Sequence, residues 1–295
     1  MTRIALVGAG RMGKVHLAAL RSIAGVEVCA VVDPVAVGAT HADLDELLAA
    51  APPDGAVVAA PSALHLGLVT RLLEAGIPTL CEKPCGTTAA EAAAAFEVAA
   101  DTGARLQIGY WRRFVPSLQA LRARIRAGEL GSLLLVRCAQ WDERPPPAAF
   151  RRSSGGILVD MGVHELDQAR WLTGEELAFR AAVAGPPAGD DRDGVEALYE
   201  LSGGGVLAVS LGRCFPPGDM CRVEVHGSDG AEQLTFLRPP DSERAFAEGI
   251  AAQDAAFVEL VRGGPQLGAT AEDAVAALAA AEVAQSSLEP TRGAA

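Results

Sequence analysis

The chain has 295 residues, 50% hydrophobic and 21% charged, which is room for two domains of ordinary size with buried cores. A formal charge of -12 argues against nucleic acid or an anionic membrane surface as partner, since both demand basic patches, and leaves a small molecule as the expected ligand. There is no apolar run of membrane-spanning length, the first strand starts too early for a secretory segment to precede it, and the six cysteines form no Cys-x-x-Cys pair; a reduced protein of the cytoplasm, without zinc or disulfides, is expected.

The first third alternates short apolar runs with alanine- and leucine-rich stretches, the pattern of βαβ units around a parallel sheet. Strands are predicted over Ile4–Val7, Val26–Val32, Gly55–Ala59, Pro78–Leu80 and Arg105–Ile108, and helices over Arg11–Ser22, Ala42–Ala50, Leu64–Ala75 and Ala89–Ala100. Between Asp33 and Gly55 only one helix fits, so one crossover of the usual dinucleotide-binding half is shortened. A helix over Ser117–Arg126 then leads into a strand-rich region with period-two alternation, clearest in Gly194–Leu201 and Cys221–His226. Further strands are predicted over Leu133–Trp141, Phe179–Ala184, Val206–Gly212 and Glu232–Leu237, making an open, mostly antiparallel sheet of about six strands. Arg144–Pro147 reads as a stiff connector, Ile157–Leu172 as a helix within this region, and Ala245–Val261 and Ala271–Ser287 as closing helices. The expected fold is α/β: a Rossmann domain over residues 1–117 and an α+β domain over 118–295 for substrate binding and subunit contact.

Gly8-Ala9-Gly10-Arg11-Met12-Gly13 follows the first strand and opens the first helix, the order that a phosphate-binding turn requires. Glycine permits the tight turn and close approach of backbone N–H groups to a pyrophosphate, whose charge suits the helix N-terminus. Asp33, ending the second strand, is placed to accept hydrogen bonds from an adenosine ribose, and its charge would repel a 2′-phosphate, so NAD is favoured over NADP. Alternatively Asp33 is a turn-forming acid before Pro34. Pro61, Ser62 and His65 follow the third strand, where Ser62 and His65 either line the nicotinamide side or serve as an N-cap and a satisfied helix histidine.

Lys14 and Lys83 are the only lysines. A chain that uses arginine for its other cations but keeps Lys83 at a strand end, in Glu82-Lys83-Pro84, marks an ammonium able to lose its proton at workable pH. Asp160 and His164, four apart on a predicted helix, share a face that Asp167 and Trp171 continue, so a carboxylate can orient an imidazole and stabilise its protonated form. A solvated helix face and a metal site of Asp160, His164 and Asp167 are the competing readings; the acid-base one is preferred and no metal is expected.

Gly8-x-Gly10-x-x-Gly13, Glu82-Lys83-Pro84 and Gly155-Gly156-(x)3-Asp160-(x)3-His164-(x)2-Asp167 together resemble the Gfo/Idh/MocA family of glucose-fructose oxidoreductases and inositol dehydrogenases. The resemblance implies that Lys83, Asp160 and His164 are catalytic, that Glu82 and Lys83 lie at the cofactor, and that dimers or tetramers form through the open sheet. Trp141-Asp142-Glu143-Arg144-Pro145-Pro146-Pro147 is similar to a stretch of the myo-inositol 2-dehydrogenases, which suggests Asp142 as a substrate contact. Arg112 and Arg113 are further candidates for contact with substrate or cofactor, Arg113 for the substrate, although a solvated Arg112–Arg113 pair fits better. The expected function is NAD-dependent hydride transfer at a CH-OH carbon of a cyclitol or sugar, with either His164 or Lys83 taking the hydroxyl proton. Reduction of a keto or imine intermediate and non-catalytic NAD binding by a regulatory protein are the alternatives.

Overall fold

The computed structural model describes residues 1–189 and 191–288, and within it the chain forms two compact units. The first contains Met1–Phe114 and Ala247–Val275; the second contains Val115–Phe246 and the chain from Ala276 on.

In the first unit β1 (Thr2–Val7), α1 (Arg11–Ser22), β2 (Val26–Val32), α2 (Leu44–Ala49), β3 (Gly55–Val58), α3 (His65–Glu74), β4 (Thr79–Glu82), α4 (Ala89–Thr102) and β5 (Leu106–Gly109) alternate along the chain. The strands form a parallel sheet in the order β2-β1-β3-β4-β5. The direction of winding reverses between β1 and β3, and ligands of such sheets bind at the carboxyl ends beside that switch point. As the spacing predicts, only the six-residue α2 lies between β2 and β3, which leaves β2 at the sheet edge. The Asp43 side chain accepts a hydrogen bond from Glu46 N (3.0 Å), so α2 starts at Leu44 rather than at the expected Ala42. β4 runs on through Glu82, two residues beyond expectation, and Lys83 is the first residue past it.

The second unit comprises α5 (Pro116–Arg126), β6 (Leu133–Trp141), α6 (Ala148–Ser153), a π-helical turn over Leu158–Gly162 that leads into α7 (Val163–Thr173), β7 (Leu177–Ala184), the two-residue strands β8 (Pro187–Ala188) and β9 (Asp191–Arg192), β10 (Gly194–Leu201), β11 (Val206–Gly212), β12 (Met220–Gly227) and β13 (Ala231–Leu237). Six strands make one sheet in the order β13-β12-β6-β11-β10-β7. It is antiparallel except for the central pair, β6 beside β11, which runs parallel with Trp141 opposite Gly212. One face packs against α7 and buries Val136, Cys138, Val195, Ala197, Tyr199, Leu207, Val209 and Leu211. Full burial of one aliphatic side chain of this size contributes about 1.5–3 kcal/mol. The strict alternation along β10 fixes which face turns inward, because a slip of one residue would expose the whole apolar set.

α8 (Ser242–Val261) and α9 (Ala271–Ser287) complete the chain. The contiguous 118–295 domain needs correcting: the chain returns to the first unit at Ala247 and stays there to Val275. The cause is apolar packing, since Phe257, Val258 and Leu260 of α8 are buried in one cluster with Ile4, Leu6, Leu20, Val57 and Leu80.

Candidate active site

Around the glycine turn, Gly8 has φ +96°, and a Cβ there would lie 2.6 Å from Ala60 N, in the turn after β3. A Cβ on Gly13 would lie 2.0 Å from the Gly8 carbonyl oxygen. These two glycines are therefore demanded by backbone packing. Gly10 differs: it is exposed, has φ -66°, and a Cβ would meet nothing within 4 Å. Packing within the protein therefore places no demand for glycine at this position. α1 also begins without a side-chain cap and without an acid in its first turn, so its first N–H groups, near Arg11 and Met12, are left for an anion.

Asp33 braces this turn by accepting hydrogen bonds from Ala9 N (2.8 Å), Val35 N (3.0 Å) and Ala36 N (2.9 Å). Those donors, Ala9 first, hold its carboxyl below the usual range. A carboxylate offers about four acceptor positions, so one remains for a ribose hydroxyl, and the fixed charge opposes a 2′-phosphate. The turn-forming reading and the ribose reading of Asp33 are thus compatible. The residues present fit a dinucleotide.

At the end of β4, Glu82 is buried and Lys83 half-buried. The Glu82 carboxylate accepts from Lys83 N (3.2 Å), and His16 Nε2 stands 3.1 Å from its other oxygen. His65, 1% exposed, has Nδ1 2.7 Å from the Pro84 carbonyl and Nε2 2.8 Å from the Ala60 carbonyl. It ties the turn after β3 to the Lys83 turn, with both ring nitrogens satisfied by backbone carbonyls. Ser62 begins a 3₁₀ turn after Pro61, and its hydroxyl caps neither that turn nor α3.

The expectation of a solvated Arg112–Arg113 pair is corrected: the two side chains are 2% and 7% exposed. Arg113 pairs with Asp273 at 3.1 Å. Burial would raise the Asp273 carboxyl, but the Arg113 charge and hydrogen bond, with Thr270, hold it low. Asp273 also closes a capping box with Thr270 at the start of α9.

In the second unit Asp160 lies in the π-helical turn and His164 in the first turn of α7. The predicted single α-helix is thus one residue wider at its start, a form common at functional sites. His164, Glu165, Asp167 and Trp171 are all buried, which removes the reading of a solvated face. The partner that sequence reasoning missed is Arg213, fully buried just past β11. Its Nη2 donates to Asp160 Oδ2 at 3.0 Å and its Nη1 to Asp191. Asp191 also accepts from Ile157 N (3.2 Å), which pins the start of the segment. A permanent cation 3.0 Å from Asp160 disfavours a metal there. Asp142 follows β6, accepts from Gln140 Nε2 (2.9 Å) and donates its backbone N–H to Gly212 O (2.9 Å), so Asp142 and Arg213 end neighbouring parallel strands.

Residues 2–110 match the model of an oxidoreductase family with an NAD-binding Rossmann fold, and residues 118–232 match the Gfo/Idh/MocA C-terminal domain. The chain belongs to the Gfo/Idh/MocA oxidoreductase family. Among relatives of this Gfo/Idh/MocA member is the rhizopine catabolism protein MocA of Rhizobium meliloti, 49% identical over 96% of this chain and 93% of the relative. An inositol 2-dehydrogenase of Rhizobium meliloti (strain 1021) is 32% identical, over 98% of both chains. The crystal structure of a myo-inositol dehydrogenase from Corynebacterium glutamicum ATCC 13032 superposes with a TM-score of 0.88 at 29% identity, covering 99% of this chain and 100% of that one. Two domains, an NAD-binding Rossmann fold and a mixed, mostly antiparallel sheet, are the architecture of this oxidoreductase.

Proposed function

We propose that the protein is an NAD-dependent dehydrogenase of a cyclitol or sugar CH-OH group, with inositols as the first candidates. The observation that carries this reading is likeness across 98% of the chain to a protein named inositol 2-dehydrogenase, in a chain that keeps Lys83, Asp160 and His164. NAD, when bound, exchanges the hydride. Gly8, Gly10, Gly13 and the start of α1 hold its pyrophosphate and Asp33 its ribose. Lys83, half-buried at a strand end, supplies a cation for the developing alkoxide, a role worth several kcal/mol where water is excluded. His164 accepts the hydroxyl proton, and Asp160, itself fixed by Arg213, supports the charged imidazole. Lys83 as the acceptor is the variant of the same scheme. Asp142 is assigned to a substrate hydroxyl.

Mixing the protein with NAD and myo-inositol, scyllo-inositol, glucose or a rhizopine, and following NADH absorbance, tests this reading. Turnover of at least one polyol is expected. Silence across the panel, with NAD bound, would contradict it and favour a binding protein.

The protein is further proposed to be cytoplasmic. All six cysteines are thiols rather than disulfides, and no helix among the described residues is long and apolar enough to cross a membrane. A homodimer or homotetramer through the outer sheet face is supported by the exposed Val183, Leu198 and Val206, which share that face with Glu196 and Arg137. Light scattering should give twice or four times the chain mass, with Leu198→Arg shifting it downward; a wild-type monomer would contradict the assembly.

A further inference from the structure

A buried cluster lies behind the Lys83 turn that neither the glycine turn nor hydride transfer uses directly. His16, on α1, sets Nδ1 2.9 and 3.0 Å from the two Asp254 oxygens and Nε2 3.1 Å from Glu82 Oε1. Gln253 Nε2 approaches the same Glu82 oxygen at 3.4 Å. β5 ends on Gly109, where a Cβ would fall 2.5 Å from that oxygen, so the cradle is shaped around the carboxylate. The charged or titratable groups facing one another here are His16 from α1, Asp254 from α8, Glu82 and Lys83 from the end of β4, and His65 from α3.

Burial alone would drive the imidazole neutral, yet Asp254 first and Glu82 second push His16 up to about 10. Burial would likewise raise Glu82, but the His16 hydrogen bond and charge, followed by Lys83 and His65, bring its carboxyl below the ordinary value. Asp254 is left raised by burial, partly opposed by His16. One imidazolium therefore serves two buried carboxyls.

We propose that His16 and Asp254 are positioning residues: Asp254 fixes the His16 ring, His16 keeps Glu82 charged and in place, and Glu82 keeps an anion beside the Lys83 ammonium. Without His16 the buried Glu82 takes up a proton, and the anion beside the Lys83 turn is lost. The importance of this to turnover rests on the role proposed for Lys83, but its test does not. Lys83, Lys14 and the N-terminus are the only primary amines, and Lys14 is exposed on α1 as an internal reference.

The experiment labels the folded full-length protein with an amine-reactive ester at pH 8 and compares Lys83 with Lys14 by mass spectrometry. His16→Gln, which keeps a donor but no charge, should raise the Lys83/Lys14 ratio about tenfold, as loss of a neighbouring anion does. Glu82→Gln should raise it equally, and the double variant should add nothing to either. Asp254→Asn should move it the same way. An unchanged ratio in Glu82→Gln, or additive effects in the double variant, would overturn the proposal. Should His16→Gln not fold, Glu82→Gln and Asp254→Asn carry the test. Full turnover by Lys83→Met would instead remove Lys83 from the reaction and leave the labelling result standing.

Discussion

Asp160 and Arg213 show how a charge is kept ready inside a protein. The guanidinium is fully buried between two carboxylates, and removing it would leave Asp191 buried beside no cation. Arg213→Met is expected to cost about 3–5 kcal/mol of stability in urea unfolding, as breaking a buried ion pair does. A loss below about 1 kcal/mol would mean that the pair is dispensable. Lys83 and the Gly8–Gly13 turn were legible in the sequence because their signals are local: a rare lysine at a strand end, and glycines between a strand and a helix. Arg213 was not, since an arginine after an apolar strand looks like any other, and only the neighbouring end of β6 and the turn bearing Asp160 give it meaning. His16 sits one turn beyond Gly13 and was overlooked for the same reason: its partner Asp254 lies 238 residues away.

Among elements, the strands were the most legible. β6, β10 and β11 begin and end where alternation predicts, because one buried face imposes a period that composition displays, and β2 begins and ends with its apolar run. The six-residue α6, behind three prolines, and the π-helical turn before α7 were not legible: the first is too short to show a period, and the second has the composition of the helix it opens. The glycine turn makes the sharpest distinction at this scale. Gly13→Ala forces a Cβ to 2.0 Å from a carbonyl oxygen, whereas Gly10→Ala meets nothing in the protein. Gly10→Ala should therefore leave the melting temperature unchanged while weakening NAD binding about tenfold or more in calorimetry, by obstructing the pyrophosphate. Undiminished affinity would detach the turn from the cofactor.

Across the molecule, the return of Ala247–Val275 to the first unit was the feature furthest from sequence reasoning. It is held by core packing at Phe257 and by the His16–Asp254 pair, contacts that no local period announces. That pair gives the stability a pH dependence. His16 is raised from 6.5 to about 10, so its contribution is complete below pH 6.5 and is lost as pH rises toward 10. Asp254, a raised carboxyl, contributes at acid pH, and Glu82, a lowered one, contributes above its ordinary range and loses this in acid. Melting temperature should accordingly fall more between pH 7 and 10 in the wild type than in His16→Gln. Parallel profiles would show that the ring is not charged in the fold.

The central claim is that the ammonium at the end of β4 serves hydride transfer, and the Lys83→Met variant tests it most directly. With a turned-over polyol in hand, kcat should drop by about two orders of magnitude or more, the usual worth of a positioned acid or base, while the Kd for NADH stays within about threefold of wild type. Full turnover with unchanged NADH binding would contradict the account.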